Sequence, residues 1–154
     1  MTLYLAALLI GVIAGLRAVT APAAVCWATS LGVLKLAGTP LAVLGGQVAV
    51  WIATAAAVFE LVSDKLPKTP SRKTPVQFGA RVLMGGLSGA AIGAPAGALL
   101  VGAVLGVIGA VIGTFGGAAA RARLAAALGR DLPAALVEDL VAVGGAVLVV
   151  ALLL

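Results

Sequence analysis

The chain has 154 residues, of which 63% are hydrophobic and only 10% charged, and its mean hydropathy is +1.25. A water-soluble domain carries about 25% charged residues, so this composition excludes a soluble globular protein and predicts an integral membrane one. The net charge of +5 is read as basic loops that fix orientation in a membrane, and no nucleic-acid partner is expected.

The membrane then restricts the fold. Hydrocarbon offers the backbone no hydrogen-bond partners, so only helices or closed barrels can cross it. The apolar runs here are continuous rather than alternating, which excludes a barrel and predicts an all-α integral membrane protein. The opening MTLYLAALLI lacks a basic flank, so no cleaved signal peptide is expected.

In chain order, the first helix is expected from Thr2 to about Thr20, broken at Ala21-Pro22. A second follows from Pro22 to about Ala37, short enough either to span or to be re-entrant. Gly38-Thr39-Pro40 marks a loop, with Pro40 opening a third helix to about Ser63. The stretch Glu60–Arg81, ELVSDKLPKTPSRKTPVQFGAR, holds Pro67, Pro70 and Pro75 and a dense run of charges. It reads as an aqueous loop joining two membrane halves. A fourth helix runs from about Pro75 to Ala94, a fifth from Pro95 to about Leu128 and a sixth from Pro133 to Leu154.

This gives five to six transmembrane or re-entrant helices in two halves, residues 1–63 and 76–154, around a basic linker at 64–75. The halves echo one another. Gly15-Leu16 and Ala21-Pro22-Ala23 correspond to Gly86-Leu87 and Ala94-Pro95-Ala96. Three segments per half imply an inverted repeat. With the linker in the cytoplasm, Arg17, Lys65, Lys68, Arg72, Lys73, Arg121, Arg123 and Arg130 all fall on that side, and Lys35 alone outside. This is the positive-inside pattern. It makes 64–75 and 121–132 cytoplasmic and places the C-terminus outside.

Glycine recurs every four residues at Gly85, Gly89, Gly93 and Gly97, at Gly109, Gly113 and Gly117, and at Gly102 and Gly106 followed by Ala110. Such ridges let helix backbones approach closely. They serve packing within the chain or, alternatively, a homo-oligomer interface.

The threading brings Arg17, Glu60, Arg81, Glu138 and Asp139 to similar depth in the cytoplasmic third. Charges inside a membrane are expensive unless paired and usually face the interior or a wet cavity. They are candidates for a substrate or ion site, together with Asp64, which shares a helical face with Glu60. The other reading is ion pairing that pins the helices. Lys65, Lys68, Ser71 and Arg72 mix cations and a hydroxyl on a proline-stiffened loop and are candidates for a phosphate or lipid headgroup. The chain has no His, and Cys26 is its single cysteine, so no metal site, cofactor or enzymatic centre is expected.

GLRAVTAPA near the start, ELVSDKLPKTPSR in the middle with Arg81 after it, and LPAALVEDLVAVGG near the end resemble the bacterial membrane proteins grouped as domain of unknown function 4126. The resemblance covers nearly the whole chain. It directs interest to Arg17, Thr20, Pro22, Glu60, Asp64, Lys65, Pro67, Pro70, Ser71, Arg72, Arg81, Glu138 and Asp139. It implies an integral protein of the bacterial cytoplasmic membrane and supplies no activity. The residues themselves point to a small transporter or channel for an ion or a solute with a charged headgroup. The alternative is a structural or lipid-binding membrane protein whose cluster is ion pairing alone. Membrane lipids and further copies of the chain are the expected partners.

Overall fold

The computed structural model describes residues 2–65 and 73–153. The elements among them are all helical: α1 Thr2–Leu16, α2 Thr20–Ser30, α3 Gln47–Ser63, α4 Pro75–Gly93, α5 Leu99–Leu128 and α6 Asp131–Leu153, with 3-10 turns at Ala42–Gly45 and Ala94–Ala96. Two of them, α5 and α6, are long and apolar enough to cross a membrane.

The first half departs from the expected boundaries. α1 stops at Leu16 rather than near Thr20, and α2 stops at Ser30 rather than Ala37. Gly32 and Gly38 take left-handed backbone, at φ 77° and 81°, which a helix cannot continue through. Between them the chain folds back, with the Leu34 N–H donating to the Ala28 carbonyl at 3.0 Å and Leu34 and Leu36 buried in the core. α3 therefore begins at Gln47 rather than Pro40, and α2, at about 16 Å, is too short to cross a core of about 30 Å. In the second half, α4 opens on Pro75 as expected. α6 begins at Asp131, two residues ahead of Pro133. The α4–α5 break extends past Pro95, so that α5 begins at Leu99.

The centre of the fold is α5, gripped by α1 and α4 through glycine. A Cβ on Gly106 would collide with the Gly85 carbonyl oxygen and lie 3.1 Å from the Gly89 Cα. One on Gly109 would collide with the Leu8 carbonyl and lie 2.9 Å from the Gly11 Cα, and Gly113 meets Val12 and Gly15 in the same way. The rows therefore serve packing within the chain: Gly102 and Gly106 seat α4, and Gly109 and Gly113 seat α1. Gly97 stands apart from its row, in the turn that follows α4.

The polarity of the surface is inverted relative to a soluble protein. Val76 and Leu100 are 81% and 77% exposed, while Arg17 and Arg81 are 0% and 1% exposed. Large apolar side chains lie on the outside, and the Arg17 and Arg81 guanidinium groups lie within.

The glycine contacts predict opposite signs for one substitution. Gly106→Ala places a methyl against backbone that has no rotamer to yield, and should destabilise by about 1–3 kcal/mol. Gly144 has open space around it, so Gly144→Ala should be neutral or stabilise by up to about 1 kcal/mol through helix propensity. Thermal unfolding of both variants in detergent checks this.

Candidate functional site

α1 ends one residue short of Arg17, whose own N–H still donates to the Ile13 carbonyl at 2.8 Å. The chain then turns, so the guanidinium points into the bundle rather than along a helix face. There Arg17 meets carboxylates from two other helices. Its NH1 pairs with Asp64 at the end of α3. Its Nε and NH2 reach Asp139 Oδ1 of α6 at 2.7 and 2.6 Å, and NH2 lies 3.7 Å from Glu138.

The turn at Arg17–Val19 leaves backbone groups exposed to an apolar interior, and two further charges satisfy them. The Glu60 carboxylate accepts from the N–H groups of Ala18 at 2.7 Å and Val19 at 2.8 Å. It thereby satisfies the two N–H groups just ahead of α2, whose N-cap residue Val19 has no capping side chain of its own. A carboxylate at this point also meets the positive end of the helix dipole. Arg81 Nε donates to the Gly15 carbonyl in the last turn of α1 at 3.3 Å, so a cation meets the negative end of that helix. Arg81 NH2 lies 3.9 Å from Glu60 and 3.8 Å from Asp64.

The network continues on both sides. Lys65 Nζ donates to the Leu61 carbonyl at 2.6 Å and pairs with Asp139. Arg121 near the end of α5 binds Asp131 through two parallel bonds of 3.0 and 2.6 Å and reaches Glu138 at 3.3 Å. All five carboxylates of the chain thus belong to one connected network with Arg17, Lys65, Arg81 and Arg121.

The structure brings together Arg17, Glu60, Asp64, Arg81, Glu138 and Asp139. Lys65 joins the same cluster. Lys68, Ser71 and Arg72 lie outside the described residues. Glu60 and Asp64 both face the same terminal nitrogen of Arg81. Among the described residues no group of three His, Cys, Asp or Glu side chains is placed to hold a metal ion. Arg121 and Asp131 are members that sequence reasoning missed. They were read as parts of a loop, but they flank the tight α5–α6 turn, and folding an antiparallel helix pair there brings them together.

A cavity of about 120 Å³ touches the network at Arg121 and Glu138 and is otherwise lined by apolar residues such as Leu16, Leu124 and Val137. A larger groove of about 620 Å³ lies between α2, α3 and α6. Comparison with protein-family models, with curated proteins and with solved structures finds no match. The functional argument therefore rests on this geometry.

The network is graded by burial. Arg17→Leu removes the fully buried cation shared by Asp64 and Asp139 and should cost about 3–5 kcal/mol, the range for breaking one side of a buried pair. Asp131 has a side chain 65% exposed, so Asp131→Asn should cost under about 1 kcal/mol. Chemical unfolding of the two variants in mixed micelles measures the difference.

Proposed function

We propose that this chain is a multi-pass protein of the bacterial cytoplasmic membrane that organises lipid around a fixed helical scaffold. In this reading the Arg17 network is the latch that holds the scaffold closed at its cytoplasmic end. The observation that carries the reading is that every carboxylate already has a cationic partner, so a solute can enter only by separating an existing ion pair.

The membrane assignment is supported by buried guanidinium groups inside an apolar exterior, which suits hydrocarbon and not water. Beside α5 and α6, the helices α1, α3 and α4 have lengths of about 22, 25 and 28 Å at 1.5 Å per residue. These are close to a hydrocarbon thickness of about 30 Å. The cationic ends gather at the α3–α4 side, and Lys35 lies at the far end of α2, as a cytoplasmic linker requires. The inverted repeat belongs to the same proposal. The α1–α2 break adjoins the network, whereas the α4–α5 break lies at the other end of α4, as inversion of the two halves demands.

One feature favours transport as a second reading. The α1–α2 break is a discontinuous helix whose two ends are met by Arg81 and Glu60, in the positions where transporters hold substrate and ions. In that case the network is a closed gate rather than a latch.

Reconstitution into liposomes separates the two. For a latch, wild type and Asp139→Asn both show sodium, chloride and phosphate flux no greater than empty vesicles, and the variant merely unfolds at lower temperature. Flux through the wild type, or a leak opened by Asp139→Asn, overturns the latch and establishes the gate.

A further inference from the structure

We propose that the groove between α2, α3 and α6 seats one acyl chain of an anionic phospholipid, drawn from the leaflet at the charged end, with its phosphate beside Lys65. This rests on the chain being membrane-embedded and specifies the lipid that the scaffold would hold.

The groove exists because α2 is short and small residues line it. Ala24 and Ala57 leave room between Trp27, Val58 and Val147. Its volume of about 620 Å³ lies within the ~300–1,000 Å³ of small-molecule sites. The lining is almost wholly apolar. Of its two hydroxyls, Thr54 Oγ1 accepts from Trp27 Nε1 at 3.0 Å and donates to the Val50 carbonyl at 2.7 Å, and Thr20 Oγ1 is buried without a hydrogen-bond partner among the described residues. The groove therefore suits a hydrocarbon occupant.

Length and charge identify which hydrocarbon. On α2 the lining runs from Thr20 to Leu31, about 16 Å along the axis. That is roughly half of a ~30 Å hydrocarbon core, the depth of one leaflet. At the charged end the register is defined by two i, i+4 steps. Lys65 stands one turn beyond the lining residue Leu61, and Asp139 stands one turn before the lining residue Val143. The Lys65–Asp139 pair therefore closes that end of the groove. An ammonium has three donors. The Leu61 carbonyl and Asp139 take two of those on Lys65, whose side chain keeps 23% exposure. The third is open to a phosphate oxygen arriving from the interface. The sequence from Lys65 to Lys73 holds three more cations and no acid, a composition that favours an anionic headgroup at the interface.

The test is native mass spectrometry of the full chain released from vesicles of phosphatidylglycerol and phosphatidylcholine in equal parts. Wild type should retain a single phosphatidylglycerol. Ala24→Leu and Ala57→Leu, which fill the groove from half-buried positions, should each lose it while circular dichroism shows unchanged helix content. Two separate variants guard against one misfolding. A wild type that retains no lipid, filled variants that retain it equally, equal retention of phosphatidylcholine, or a lipid-free dimer covering the groove would each overturn the proposal. A chain that remains monodisperse in water without detergent would instead defeat the membrane reading on which it rests.

Discussion

Burying a guanidinium constrains everything around it. Arg17 cannot reach water, and an unpaired charge in so apolar an interior carries a penalty of several kcal/mol, a sizeable part of the ~5–15 kcal/mol by which a folded domain is stable. The end of α3 and the start of α6 must therefore deliver Asp64 and Asp139 to the same point. Once Asp64 is placed there, helical geometry puts Glu60 one turn away, at the N–H groups that the α1–α2 break leaves unpaired. The break and the charge are thus mutually dependent. The turn points Arg17 inward, and the carboxylates that Arg17 recruits make the turn tolerable.

The glycine contacts supply the complementary constraint. Hydrophobic side chains can slide past one another within a bundle, especially where lipid is as apolar as the helices themselves. Backbone-to-backbone seating cannot slide without a clash at every step. By locking α1 and α4 against α5, the glycines set the depth at which Arg81 meets the Gly15 carbonyl. The registry of the charged end is therefore fixed from the apolar middle of the bundle. The ion pairs then close an arrangement that packing has already aligned.

Much of this was legible in the sequence because charges are so rare in it. Threading the apolar segments assigns five residues scattered from Arg17 to Asp139 to similar depth, with Asp64 one turn from Glu60, and the structure joins all six. The failures come from proline. Pro22 and Pro133 read as first helical residues, yet α2 and α6 start two residues earlier, since the whole first turn lacks intrahelical acceptors for its N–H groups and admits proline throughout. Pro40 was taken to open a helix that in fact waits for Gln47. The segment before it is shaped by Gly32 and Gly38 and by the inward packing of Leu34 and Leu36, a tertiary effect with no local signature. Arg121 and Asp131 escaped because their contact depends on how tightly two helices fold back, not on their spacing.

The charge balance bears on function more than any single residue does. Among the described residues the network joins five carboxylates to four cations, and each carboxylate has a cationic partner. A solute entering this cluster must displace a side chain that is already compensated, so recognition there requires separating buried ion pairs before any new contact forms. The α2–α3–α6 groove carries no such penalty. It is open and apolar, and it ends on the Lys65 ammonium, whose bonds to Leu61 and Asp139 leave one donor for a ligand. A ligand that is hydrocarbon over most of its length and anionic at one end meets complementary surface along the whole groove without disturbing the latch. Placing recognition in the groove leaves the network its structural role and lets both operate in the same closed conformation.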